Sequence, residues 1–182
     1  MIEYDDPHPA APLSRAVAFL ARSRGETRRA VHALCALTGH RFVSLREAYE
    51  HRVGASVDVA RVWQGDGQRA RELLEVLRRS FETKPHPLIA FDLAMPVGLC
   101  RDRARSHLSA CEVIVLDFDA EGADGSVPRS AASASRGSDD SDAAWIECFG
   151  ILSAAATRRL RARDARAAAR DLAPELLRGL GA

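Results

Sequence analysis

Apolar positions fall into short solid runs that alternate with stretches of helical spacing. Residues 16–21 form one such run, and the polar, glycine-containing residues 22–26 follow it; this reads as a buried strand and a loop. Between 27 and 38, Ala30, Val31, Leu34 and Leu37 recur at helical spacing, and Gly39 is a natural stop. Residues 41–45 read as a second strand, and 46–53 as a short helix stopped by Gly54. Helices are expected at 57–63 and 68–81, the second with Leu73, Leu74, Leu77 and Phe81 along one face. Pro85 and Pro87 break the chain before LIAF (88–91), a third strand. A helix around 101–110 precedes VIVL (113–116), the clearest strand of all. Residues 151–180, rich in alanine and arginine, read as helix, and no strand is evident near the C-terminus. Strands alternating with helices argue for an α/β fold with a parallel sheet.

The chain has 182 residues, 47% apolar and 28% charged, which suits one soluble, well-buried domain. Residues 1–14 read as a loose leader and 15–182 as a single domain. Residues 120–143 are rich in Ser, Asp, Gly and Ala and cannot order themselves by apolar burial, so a long loop or disorder is expected there. A net charge of +1 gives no global field toward nucleic acid or membrane. No apolar run approaches the roughly 20 residues that span a bilayer. The acidic, proline-rich start is unlike a secretory signal, so a cytoplasmic location is expected. Cys35, Cys100, Cys111 and Cys148 are too widely spaced to form a disulfide framework.

A strand, a glycine-containing turn, a helix and a second strand are the layout in which a phosphate-binding loop sits. Here the landmarks are Ala33-Leu34, Gly39, Phe42-Val43, Leu45, Glu50, Gly54, Ser56-Val57 and Gly65-Asp66, then LIAF at 88–91 and VIVL at 113–116. Together they resemble the shikimate kinase family over residues 15–119. The resemblance implies a P-loop-type three-layer α/β fold, a parallel sheet with helices on both faces. It also makes residues 120–143 the lid region.

The same resemblance allows a test of function position by position. A phosphate-binding loop uses glycines for close backbone approach, a lysine on the β/γ-phosphates and a hydroxyl on Mg²⁺. In the ungapped register the two glycines are Ala21 and Glu26, the lysine is Thr27 and the Ser/Thr is Arg28. A slip of one residue gives Gly25-Glu26-Thr27, with the lysine's charge reversed. Lys84 is the only lysine in the chain and lies far away in sequence. The family's second strand ends Asp-Leu-Asp; here it reads Ser44-Leu45-Arg46. The substrate-gripping arginine falls at Arg69, or at Arg71 with a slip, and the glycine triplet is Asp92-Leu93-Ala94. The lid arginines have no clear counterpart.

The nucleotide-binding candidates, if any, are therefore Arg24, Gly25, Glu26, Thr27, Arg28 and Arg29. The substrate-binding candidates are Arg46, Arg69, Arg71 and Asp92. No catalytic residue is assigned. The expected function is that of a shikimate-kinase-like protein without phosphotransfer, acting as a ligand-sensing or protein-interaction module. Its partner would be a small anionic or hydroxylated ligand or a protein, and no cofactor is expected. The alternative is an active kinase of shikimate or a related hydroxylated substrate. It would use ATP and Mg²⁺ and hold phosphate with Arg24, Arg28 or Arg29.

Other constellations carry less. Cys100, His107 and Cys111 share a stretch read as helix, but zinc needs four close ligands, so no metal is expected. His32, His40, His51 and Asp92 have no hydrolase signature around them. Arg159, Arg163, Arg166 and Arg170 read as one face of a C-terminal helix, solvated and paired with Asp164 and Asp171. Aromatics are few, so nucleic acid is not expected on that face.

Overall fold

A computed structural model describes residues 12–95, 97–119 and 139–178. The chain runs β1 (Val17–Ala21), α1 (Arg24–Thr38), β2 (Phe42–Ser44), α2 (Leu45–Val53), α3 (Val57–Trp63), α4 (Asp66–Glu82) and β3 (Leu88–Ala90). It continues through α5 (Val97–Leu99), a π-helical stretch (Cys100–Ala104) and α6 (Arg105–Leu108). The remaining elements are β4 (Glu112–Phe118), α7 (Asp139–Ser153), β5 (Arg158–Ala162) and α8 (Ala165–Leu177).

The five strands form one all-parallel sheet in the order β2-β3-β1-β4-β5. Parallel strands covered on both faces read as solid apolar runs, which is why 16–21, 88–91 and 113–116 stood out. Alternate residues serve opposite layers. Ala18, Leu20, Ile89, Phe91, Val113 and Val115 pack under α2, α3, α4, α6 and α7. Phe19, Ala21, Leu88, Ala90, Ile114 and Leu116 pack under α1 and α8. The expected three-layer α/β architecture is present.

Three expectations need correction. The C-terminal region read as unbroken helix contains β5, the missing edge strand. Its sequence RRLRA is rich in helix formers, and tertiary contacts override that preference. The Thr157 hydroxyl accepts from Val113 N at 3.0 Å and donates to Val113 O at 3.0 Å, fastening the start of β5 to β4. Arg159 pairs with Asp117 at 3.5 Å and Arg161 with Asp119 at 2.6 Å, while Arg158 pairs with Glu175 of α8. Second, the arginines do not share one helical face: Arg159 lies on β5, Arg163 precedes α8, and only Arg166 and Arg170 lie on α8. Asp164 is the N-cap of α8, accepting from Ala167 N at 2.8 Å. Third, α7 begins at Asp139, inside the segment read as loop or disorder; residues 120–138 lie outside the described residues. Trp145, Cys148 and Leu152 of α7 are buried in the core. Of the presumed leader, residues 1–11 lie outside the described residues, and Leu13 is buried beneath the α1 and α8 layer.

The core contributes far more than the surface ion pairs. Ile114→Ala is expected to cost about 2–5 kcal/mol and Ile114→Val about 0.5–1.5 kcal/mol. Arg159→Ala, at an exposed pair, should cost about 1 kcal/mol or less. Urea denaturation of the three variants checks this ranking.

Candidate functional site

The strand order determines where a ligand crevice can form. From β1 the chain moves to β2 and β3 on one side, then to β4 and β5 on the other. The order therefore reverses beside β1, and crevices in such sheets open at the carboxyl ends of the strands at this switch point. The residues there belong to the β1–α1 connection, the β2–α2 junction, the end of β3, and α7.

The β1–α1 connection is two residues long, Arg22 and Ser23. A phosphate-wrapping loop has four residues between its glycines alone. Sequence reading placed the loop at 22–26, but Ser23 starts the helix early. Its side chain caps α1 by accepting from Glu26 N at 3.4 Å, so Gly25 and Glu26 are helical. Thr27 then closes the turn. It is fully buried, its hydroxyl accepts from Ala21 N at 2.9 Å, and it donates to Ser23 O at 3.1 Å. Ser23 O also accepts from Thr27 N at 3.1 Å. From above, Trp145 of α7 donates its indole N–H to Arg22 O at 2.8 Å. A Cβ at Gly25 would meet only Ser23 Oγ, at 3.9 Å, so no close approach demands glycine there.

The cationic candidates around this turn are engaged or dispersed. Arg28 pairs with Glu47 at the start of α2, and Arg46 pairs with Glu50 at 3.2 Å. Arg29 is exposed, and Arg24 is half-buried with a partner of its own. Lys84 sits on the loop before β3, at the amino end of the parallel sheet. That is the opposite end from the β1–α1 turn. Arg69 lies on α4, where its charge favours ionisation of Tyr49; burial dominates and raises the Tyr49 phenol above its ordinary value. Arg71 is exposed on the same helix.

Asp92 is the buried charge of the site, only 3% exposed. Its Oδ2 accepts from Ser44 Oγ at 2.7 Å and its Oδ1 from Arg46 N at 3.0 Å. Ser44 Oγ in turn accepts from Glu47 N at 3.1 Å, capping α2. The carboxylate thus ties the end of β3 to the start of α2. Burial raises its pKa, opposed by these hydrogen bonds and by Arg28. The structure brings Asp92, Ser44, Arg46 and Arg28 together, leaves Arg71 apart, and sets Arg69 beside Tyr49.

The remaining sequence candidates disperse. Cys111 is buried, donates to Leu108 O at 3.2 Å, and is pushed up to about 12 by burial. His107 stacks on Phe81, and His32 meets Phe42 edge-on. Among the described residues no cluster of three or more metal-ligating side chains forms. No described helix is long and apolar enough to cross a membrane. Trp145 went unnoticed in the sequence. The signal for it was present, since Trp145, Cys148 and Leu152 keep a helical spacing.

No family model matches the chain, and no curated protein matches its sequence. Solved structures do match in fold. Shikimate kinase from Acinetobacter baumannii, in complex with shikimate, is 17% identical; the alignment covers 91% of this chain and 92% of that one with a TM-score of 0.62. Shikimate kinase from Bacteroides thetaiotaomicron is 12% identical over 89% of this chain and 98% of that one, TM-score 0.61. Shikimate kinase from Aquifex aeolicus is 13% identical over 88% and 95%, TM-score 0.58. At these identities the likeness establishes a shikimate-kinase-like P-loop fold.

Three variants test the interactions at the turn and the junction. Thr27→Val leaves the Ala21 N–H buried without its acceptor and should cost about 1–3 kcal/mol by urea denaturation. For Asp92 the folded pKa is raised, so its contribution is complete below the unfolded value of about 3.9. It is lost as pH rises through the folded value, because the native state then holds the extra proton. Asp92→Asn should abolish this downward slope of stability with pH. Asp92→Ala should cost about 1–3 kcal/mol by orphaning Arg46 N–H and Ser44 Oγ–H.

Proposed function

We propose that this protein is a shikimate-kinase-like binding module that does not transfer phosphate. It senses a small anionic or hydroxylated ligand, or engages a protein, through the crevice at the carboxyl end of its sheet. The observation that carries this reading is the closed two-residue turn between β1 and α1. A nucleotide phosphate needs a run of free backbone N–H groups and a lysine. Here Ala21 N–H is committed to Thr27, and the single lysine lies at the far end of the sheet. Glu26 adds a carboxylate in the first turn of α1, where a phosphate would sit.

The metal and substrate positions support the same reading. Ser44 and Arg46 occupy the places of the family's paired acids, and Asp92 spends its carboxylate on internal hydrogen bonds. Phosphoryl transfer rests on positioning and charge neutralisation, with little else to substitute. Under the alternative, an arginine replaces the lysine. Arg28 is the nearest in register, and its guanidinium already pairs with Glu47.

Calorimetry with ATP and Mg²⁺, then with shikimate, combined with a product assay, tests the proposal. Neither nucleotide binding nor phosphorylated product is expected. Turnover in the roughly 1–10³ s⁻¹ range of ordinary enzymes would overturn it. Nucleotide binding lost on replacing Arg28 and Arg29 together would favour the alternative.

A further inference from the structure

α3 is held firmly from beneath and is bare on its outer face. Ser56 caps it by accepting from Val59 N at 3.4 Å, and Val57 N donates to Glu50 Oε1 at 3.1 Å. Ala60 is buried against the core. At the other end Tyr49 Oη donates to Gln64 Oε1 at 2.7 Å, and Gln64 N closes on Ala60 O at 2.9 Å. These anchors leave Val59, Val62 and Trp63 pointing outward, 40%, 84% and 72% exposed. Their spacing of i, i+3, i+4 places them on one stripe. Apolar residues at that spacing ordinarily face a core. Here Ala60 takes that role and the larger side chains face water.

The charges beside the stripe indicate what covers it. Asp58 and Arg61 lie three residues apart on one flank, and neither has an ion pair among the described residues. Two copies related by a two-fold axis perpendicular to their helices present the same flank to each other with the direction reversed. Asp58 then faces Arg61 of the partner subunit, and the contact occurs twice. The surface is its own complement in both apolar and charged character.

We propose that α3 is the interface of a homodimer. Two α3 helices pack antiparallel, with Val59, Val62 and Trp63 at the centre and the Asp58–Arg61 pairs along one edge. Tryptophan and arginine are the residue types that anchor such contacts. A helix of seven residues cannot fill the roughly 800 Å² per partner of a standard interface, so the dimer is reversible and concentration-dependent. The proposal does not rest on the absence of phosphotransfer, since α3 contributes nothing to the β1–α1 turn.

Sedimentation equilibrium of the full chain tests it, with circular dichroism to verify folding of each variant. The wild-type mass should rise from one chain toward two with concentration. Trp63→Glu should remain a monomer. Asp58→Arg and Arg61→Asp should each weaken association by about tenfold or more, since each sets like charges together. An equimolar mixture of these two variants should recover association, because every edge pair is again of opposite sign. A wild type that stays monomeric, a dimer that survives Trp63→Glu, or a mixture no better than its components would each overturn the proposal.

Discussion

The hydroxyl of Thr27 sets the character of the carboxyl end of this sheet. It bonds backwards to Ala21 N and Ser23 O, so strand and helix meet with two residues between them. A buried backbone N–H must find a partner. In a phosphate-binding loop that partner is the ligand; here it is a side chain of the same helix. The switch point keeps its place in the topology while the Ala21 N–H is turned inward.

The neighbouring elements reinforce this closure. Trp145 seals the turn through Arg22 O, and Asp92 locks β3 to the cap of α2 through Ser44 and Arg46. Two of the cations near the crevice are paired close by, Arg28 with Glu47 and Arg46 with Glu50. Polar groups at the carboxyl end thus serve chiefly to hold elements together. On α3 a tryptophan and two valines remain exposed beside an acid and a base with no ion pair among the described residues.

Much of the fold was legible in advance. Strands buried on both faces read as unbroken apolar runs, and β1, β3 and the Val113–Leu116 centre of β4 are such runs. Gly39 and Gly54, at φ values of 72° and 69°, mark helix ends that few other residues tolerate. β5 was not legible, because Arg158–Ala162 has only Leu160 and Ala162 to bury, and its arginines favour helix as readily as strand. What makes it a strand lies elsewhere in the chain: Val113, Asp117, Asp119 and Glu175.

The candidate site divides in the same way. From the sequence alone it followed that no lysine stands in residues 22–38, directly after the first strand, and the resemblance implied that Ser44, Arg46 and Asp92 fall at positions of acids and glycine in the family. Identity is read directly from residue order, and register rests on the resemblance. Only the tertiary structure decided that the loop is two residues long, that Thr27 faces inward, that Arg28 belongs to Glu47, and that Trp145 covers the turn. Each depends on which donor meets which acceptor across the fold. Partners such as Arg22 and Trp145, 123 residues apart, leave no local trace in the chain.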